Sequence, residues 1–469
     1  MKTLPDLLRA RAAQAPDAPF LFFKDEVWTR GKLAQAAEEA AERLRQARIK
    51  PGDRVALLLP NGPDFIVQYF GIMAAGAVAV PVNTVLKEPE IAYILKDSGA
   101  AAVVGTGGLT RLDNGGAGPA AGEAAAIIYT SGTTGFPKGA VLTHRNYLFD
   151  VENTVAAIGM NAGDRFLCFL PLFHVNGQVV TVLSPLWAGG SMVLMEKFAP
   201  KEFFELISRH RCTAFSGVPS VYSVLLNLPD SARYDLSSLK FCICGAAPMP
   251  VEVFHAFEAK FKAHILEGFG LSEGTCVSTV NPPPPGKRKI GSIGLPLPGQ
   301  ELAIVDAEDR PLGPGEIGEI VVRGGNVMSG YWNNPAATQE ALRGGWLHTG
   351  DLGTRDEEGY YTIKGRKKEM IIRGGENIYP KEIEEALYSH PKIAEAAVVG
   401  LPDRRWGEEV AAFIVLKEGA RAEPKELQAH LKGLLADYKH PRVWRLVASL
   451  PKTATGKIQK HKLRESPLT

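Results

Sequence analysis

The sequence carries almost no excess of either charge: 53 Lys and Arg stand against 51 Asp and Glu, a formal +2 over 469 residues. With no basic field and no run of like charge, neither a nucleic-acid partner nor a charged tail is indicated. Cysteine is scarce. The five, at 168, 212, 242, 244 and 276, are odd in number and contain no C-x-x-C pair. That disfavours a disulfide framework or a thiolate zinc site and suits a reducing, cytoplasmic compartment, with each cysteine acting as a small buried apolar side chain. Long hydrophobic runs are also missing. The longest uncharged apolar stretch, residues 69–82, holds Gly71, Gly76 and Pro81 and falls short of the ~18 residues a membrane span needs. The first twenty residues interrupt their apolar run with Pro5, Asp6 and Arg9, which is not the h-region of a secretory signal. Peripheral contact with a membrane and the oligomeric state stay open. What is present is ordinary globular composition, 45% hydrophobic, and enough chain for two or more domains with their own cores, so a soluble enzyme is the default.

Apolar spacing predicts helix over residues 4–48, a buried strand at 55–59, helix at 65–75 and strand at 77–82. Short apolar runs at 141, 166–170, 192–194, 213–216 and 241–244 continue the alternation, which points to parallel α/β architecture. Residues 105–125, with seven glycines, read as a loop, and the stretch fails the G-x-G-x-x-G fingerprint because Thr110 stands where the third glycine belongs. From about residue 300 the texture turns antiparallel, with strands predicted at 301–306, 316–323 and 360–364 between Gly/Pro turns. After the charged cluster 366–369 comes a compact set: strand 370–373, helix 380–389, strands 395–400 and 410–416, helix 424–437 and strand 443–450. Pro380 suits a first helical position. A boundary is therefore expected near Lys368, giving a large domain 1–368 and a small domain 369–469. The fold class is α/β: a multi-subdomain N-terminal body of parallel-sheet layers with a small antiparallel β unit, then a smaller α+β domain.

The strongest local feature is Tyr129-Thr-Ser-Gly-Thr-Thr-Gly-Phe-Pro-Lys-Gly139. An apolar strand end runs into hydroxyls, glycines and one lysine, which is how a chain lines an anionic group. It is not a Walker A loop, since Gly139 and Ala140 follow Lys138. The wording resembles the signature of the adenylate-forming superfamily: acyl-CoA synthetases, peptide-synthetase adenylation domains and luciferases. The resemblance runs in order over nearly the whole chain, through Pro171-Leu-Phe-His-Val-Asn-Gly177, Gly245-Ala-Ala-Pro248, Gly268-Phe-Gly-Leu-Ser-Glu273, Gly318-Glu-Ile-Val-Val-Arg-Gly324 and Thr349-Gly-Asp351. It continues through Gly365-Arg-Lys-Lys-Glu369, Gly374-Gly-Glu-Asn-Ile-Tyr-Pro380 and Pro451-Lys-Thr-Ala-Thr-Gly-Lys457.

The resemblance implies roles. Thr130, Ser131, Gly132, Thr133, Thr134, Gly135 and Lys138 would hold the β- and γ-phosphates of ATP. Gly245, Ala246, Ala247, Gly268, Phe269 and Gly270 would line the adenine, with Phe269 where relatives usually have Tyr. Ser272, in place of the usual Thr, would face the α-phosphate, and Glu273 would ligate Mg2+, a hard cation that prefers carboxylate oxygen. Asp351 would accept from the ribose hydroxyls with Arg366 nearby. His174 would lie near the acyl group, Lys457 would reach the α-phosphate and the carboxylate, and Lys368 would be a hinge. The Gly374–Gly375 loop would turn toward the site for CoA.

The resemblance further implies ATP-dependent conversion of a carboxylic acid to acyl-AMP and then to acyl-CoA, with the small domain rotating between steps. No Lys or Arg lies between residues 263 and 286, which disfavours a second carboxylate on the substrate. A fatty acid of medium to long chain is expected, with an aromatic acid as the alternative. A peptide-synthetase adenylation domain would place an Asp before the Val-Pro of the acyl region, where this chain has Thr213-Ala-Phe-Ser-Gly-Val-Pro219. A luciferase-like oxygenase would use the same adenylation. A non-catalytic nucleotide or acyl sensor would not need Lys457, Glu273 and Asp351 together.

Overall fold

The computed structural model describes residues 1–112, 123–130, 137–228, 231, 233–245, 249–453 and 458–465. The alternating apolar runs form two mainly parallel sheets. In the larger, Pro19–Phe23, Ser191–Leu194, Arg165–Cys168, Ala214–Gly217, Phe241–Cys244 and His264–Phe269 lie side by side in that order, all parallel. Antiparallel edges are added by Glu26–Thr29 at one side and by Thr279–Val280 and Leu295–Pro296 at the other. In the second sheet Ala124–Thr130, Val78–Pro81, Arg54–Leu58 and Ala102–Gly105 are parallel neighbours. Lys138–Thr143 and then Gly330–Tyr331 extend it antiparallel on one side, and Gly108–Arg111 on the other.

Strands buried on both faces are apolar at every position rather than at alternate ones. Phe166 and Cys168 point into the largest core, which joins both sheets to the helices Arg30–Gln46, Pro63–Ala74 and His144–Ile158. Leu167 and Phe169 point the other way, into an aromatic cluster with Phe203, Phe215, Tyr222 and Phe257. There Phe203 meets Phe215 edge-on with centroids 5.0 Å apart, a favoured geometry for aromatic rings. The five cysteines are buried and free.

A third, antiparallel sheet orders Gln300–Val305, Gly318–Gly324, Leu347–Arg355 and Tyr361–Arg366. The pairing changes sheet at the 3-10 turn Lys367–Glu369. Beyond it, Glu376–Ile378, Ile371–Arg373, Gly407–Leu416 and Ile393–Asp403 form the sheet of the small C-terminal domain, and Val443–Leu446 pairs with Gly407–Leu416 in parallel. Its helices Pro380–Tyr388 and Pro424–Lys432 cover one face through Ile383, Leu387, Leu427 and Leu431. Among the described residues no helix is long and apolar enough to cross a membrane.

Three sequence expectations are corrected. Residues 4–48 are not one helical stretch: helices Leu4–Gln14 and Arg30–Gln46 are separated by the hairpin of Pro19–Phe23 and Glu26–Thr29, with Lys24 at φ 53 in its turn. Pro16 and Pro19 stop the first helix, and Phe20 and Leu21 are fully buried as strand. The glycine-rich stretch is not all loop, because Gly108–Arg111 folds back on Ala102–Gly105; residues 113–122 lie outside the described residues. The strand Leu347–Arg355, within which Thr349-Gly-Asp351 lies, was not anticipated.

Candidate functional site

The hydroxyl-rich segment is closed at its base by the last pair of an antiparallel ladder, Thr130 opposite Lys138. Residues 131–136, and with them Ser131, Gly132, Thr133, Thr134 and Gly135, lie outside the described residues. The Thr130 hydroxyl stands 3.4 Å from Glu273 Oε1 and 3.4 Å from the Lys138 carbonyl. The same Glu273 oxygen accepts a 2.8 Å hydrogen bond from the Tyr331 hydroxyl, and Lys138 Nζ lies 5.2 Å from the centre of the Tyr331 ring. Thr130 and Lys138 therefore meet Glu273 and Tyr331, which come from distant parts of the sequence. Burial, and next the negative charge of Glu273, raise the Tyr331 pKa, so the phenol stays a neutral donor. Tyr331 is the member of this group that the sequence did not disclose. Its only signal is the Gly330-Tyr-Trp-Asn-Asn-Pro335 stretch, which reads as an aromatic pair before a turn.

Glu273 sits on a short 3-10 turn, Ser272–Gly274. Its carbonyl accepts from Met328 N at 2.8 Å, the Gly274 carbonyl from Asn326 Nδ2 at 3.1 Å, and the Thr275 hydroxyl donates to the Asn326 carbonyl at 2.5 Å. Asn326 is fully buried. Its loop is held in turn by Asn146 Nδ2, which donates to the carbonyls of Gly325 and Val327 at 2.8 and 2.9 Å. Thr275 takes φ 65 and ψ -56 at the centre of a tight turn closed by Cys276 N donating to the Gly274 carbonyl at 2.8 Å, a conformation that costs a β-branched residue roughly 1–3 kcal/mol and persists only where neighbours enforce it. Gly270 is required by close approach: a Cβ there would stand 1.4 Å from the Cys276 carbonyl oxygen.

The parallel strands of the large sheet end together here, the place where open α/β sheets bind ligands. A Cβ on Gly245 would lie 3.5 Å from the Gly268 carbonyl, so the two backbones are neighbours. Ala246 and Ala247 lie outside the described residues. Phe269 packs into the largest core with 8% of its surface exposed, which leaves little of the ring to stack on a base. Ser272 is half-buried beside Glu273.

Asp351 and Arg366 face each other across neighbouring strands, with Arg366 Nε 2.9 Å from Asp351 Oδ1. Asp351 N donates to the Thr349 hydroxyl at 3.1 Å, which donates to the Ile320 carbonyl at 2.7 Å. Arg366 also lowers the Tyr331 pKa, against burial and Glu273.

His174 precedes the short helix Val175–Gln178 and is half-buried against Phe173, ring centres 4.5 Å apart. Desolvation lowers its pKa to about 4, so it is a neutral imidazole at physiological pH. Gln178 behind it is fully committed: its Oε1 accepts from the buried Tyr69 and Tyr147 hydroxyls at 3.0 and 2.7 Å, and its amide donates to the Leu172 carbonyl.

In the small domain, Lys368 lies in the Lys367–Glu369 turn, where the sheets change. Gly374 and Gly375 make the tight turn between Ile371–Arg373 and Glu376–Ile378, both at positive φ. A Cβ on Gly374 would come within 2.8 Å of the half-exposed Trp406 ring, and Gly374 N donates to the Trp406 carbonyl at 2.9 Å. Lys457 lies outside the described residues; the chain on either side is joined by the bridge Lys452–Ile458. Among the described residues no three His, Cys, Asp or Glu side chains are grouped to hold a metal. One carboxylate beside hydroxyls nevertheless fits Mg2+, which keeps several waters and takes other oxygens from phosphates.

A parallel-sheet body followed by a small α+β domain is the architecture of adenylate-forming enzymes. The chain belongs to that superfamily: the family of AMP-binding enzymes matches residues 8–117 and 114–332, and the AMP-binding enzyme C-terminal domain matches residues 382–457. It is an acyl-CoA synthetase, as its relatives are. It is 39% identical to a sulfoacetate–CoA ligase of Cupriavidus necator, over 98% of this chain and 97% of that one. It is 37% identical to a long-chain-fatty-acid–CoA ligase of Bacillus subtilis, over 99% and 94%, and 37% identical to a feruloyl-CoA synthase of Amycolatopsis, over 97% of each. Among solved structures, ATP-bound MatB from Rhodopseudomonas palustris superposes with a TM-score of 0.91 at 31% identity over 99% of each chain. The apo form of MatB gives 0.79 at 32% identity, also over 99% of each chain.

Proposed function

We propose that this acyl-CoA synthetase joins an apolar monocarboxylic acid, a fatty acid of medium to long chain, to CoA through an acyl-AMP intermediate. The observation that carries the reading is the convergence of Thr130, Lys138, Glu273 and Tyr331 beside the Asp351–Arg366 pair. A carboxylate oxygen attacks the α-phosphorus of ATP, the bond to the β-phosphate oxygen breaks, and pyrophosphate leaves. Two anions approaching to about 4 Å repel by roughly 4 kcal/mol at an effective dielectric of 20, so the work of the site is electrostatic. Lys138 and the hydroxyl segment 130–135 bind the β- and γ-phosphates. Asp351 accepts from the ribose, with Arg366 holding its carboxylate in place. Lys457 offsets the charge between the α-phosphate and the incoming carboxylate. Glu273, its Oε1 fixed by Tyr331, would hold Mg2+, which when bound supplies charge neutralisation at the phosphates. Gly245, Gly268 and Gly270 leave room for the adenine at the strand ends, and Ser272 faces the α-phosphate.

In the second step the CoA thiolate attacks the acyl carbonyl, the bond from that carbon to the phosphate oxygen breaks, and AMP leaves. The domains 1–368 and 369–469 turn about Lys368 between steps, withdrawing Lys457 and presenting the Gly374–Gly375 turn to CoA. The closer match to ATP-bound than to apo MatB supports reading this arrangement as the one for adenylation.

A neutral His174 next to Phe173 favours an apolar acyl group over a second carboxylate, which would want a cation. The feruloyl-CoA synthase among the relatives keeps an aromatic acid as the second reading. CoA-dependent AMP release over straight-chain acids of increasing length, hydroxycinnamic acids and dicarboxylic acids tests this. Highest kcat/KM on straight-chain acids is expected; a preference for hydroxycinnamates or for dicarboxylates would overturn the substrate assignment.

A further inference from the structure

The small domain contains a buried ammonium that the mechanism above does not use. Lys460 opens the short helix Lys460–Arg464, three residues after Lys457. Its Nζ lies 2.7 Å from Glu384 Oε1 and 3.4 Å from Glu369 Oε2, and the three side chains are only 16%, 16% and 23% exposed. Glu384 comes from the helix Pro380–Tyr388, and its Oε1 also accepts from Val398 N at 2.7 Å. Glu369 is the residue immediately beyond Lys368. Burial pulls the Lys460 pKa down, but Glu384 and Glu369 outweigh it and hold the pKa above its ordinary value, so the group is charged.

A pivot at Lys368 moves Lys457 reproducibly only if the segment that carries Lys457 is fixed to the first residue past the pivot. Some ninety residues of chain separate the two, so the link must be made through space. The helix Lys460–Arg464 has five residues and one buried apolar anchor, Leu463, too little to hold itself in place. Lys460 adds an ionic tie to the Lys452–Ile458 bridge and the Leu463 contact: one cation joins this helix to the hinge turn and to the helix Pro380–Tyr388. We propose that Lys460 is a positioning residue that ties the helix following Lys457 to the pivot through Glu369 and Glu384, so that rotation about Lys368 carries this helix with the domain. The proposal rests on the roles given above to Lys457 and Lys368.

Lys460→Met and Lys460→Arg, made in the full-length enzyme beside Lys457→Ala, test it with the acid that scores highest in the panel above. Pyrophosphate exchange in Lys460→Met is expected to fall about 10- to 100-fold, the loss produced by misplacing a catalytic group by an ångström or so. The loss should lie in kcat with the KM for ATP little changed. Thioester formation from supplied acyl-adenylate should be retained, and Lys460→Arg should recover most of the exchange. Wild-type exchange in Lys460→Met, or proportionate loss of both half-reactions, would overturn the proposal. If Lys460→Met fails to fold, Glu369→Gln is judged by the same ratio of half-reactions. Undiminished exchange in Lys457→Ala would instead overturn the role of that lysine, and the tie with it.

Discussion

Tyr331 and Glu273 make the smallest unit on which the mechanism can be tested. A hydrogen bond to a charged acceptor contributes about 1.5–3 kcal/mol, so Tyr331→Phe is expected to slow pyrophosphate exchange by about 10- to 100-fold while leaving the fold intact. Exchange at the wild-type rate would show that the 2.8 Å contact is incidental. At this scale the sequence was informative where a motif is contiguous, as for Thr130, Lys138 and Glu273, and silent where the group arrives from elsewhere. Tyr331 reaches Glu273 because the two-residue strand Gly330–Tyr331 adds to an edge, and no local pattern announces so short a pairing. Phe269 carried the opposite lesson. Its place in the motif implied a ring lining the adenine, and the structure holds that ring against the core with 8% of its surface exposed.

Elements were legible in proportion to their apolar content. The buried parallel strands stood out as short runs bounded by turn residues, and the two helices of the small domain were set by Pro380 and Pro424 at their starts. Leu347–Arg355 was hidden because Thr349, Gly350 and Asp351 mimic a turn; they sit at an irregularity in the pairing with Gly318–Gly324, and Asp351 alone of the three pairs on the other side, with Arg366. The N-terminal helix offers a test of how elements are joined. Leu4 N donates to His144 Nδ1 at 3.3 Å, which requires an unprotonated ring, and burial lowers the His144 pKa from 6.5 to about 4. Between those values the unfolded chain binds a proton that the native state refuses. The stabilising contribution of neutral His144 is therefore full above pH 6.5 and is lost as pH falls toward 4, by about 3 kcal/mol at most. Denaturant unfolding from pH 4.5 to 8 should show a gentler acid decline for His144→Gln than for wild type. Parallel curves would refute this linkage.

At the scale of the whole molecule, the small domain is joined to the body through a turn at which one sheet ends and another begins. Lys381 Nζ reaches across to donate to the Ile363 carbonyl at 2.7 Å, a polar contact that rotation can exchange. Lys368→Pro fixes φ at the pivot and is expected to slow thioester formation at least about tenfold more than pyrophosphate exchange, the proportion expected when a domain closure needed for one step only is obstructed. The reverse ordering would remove Lys368 from the hinge. What the whole account depends on is that the acid is activated on ATP before CoA takes part. The direct measurement is acid-dependent exchange of labelled pyrophosphate into ATP, with magnesium present and CoA omitted. Exchange that appears only when a suitable acid is added is the expected result; exchange that never appears until CoA is supplied would contradict it.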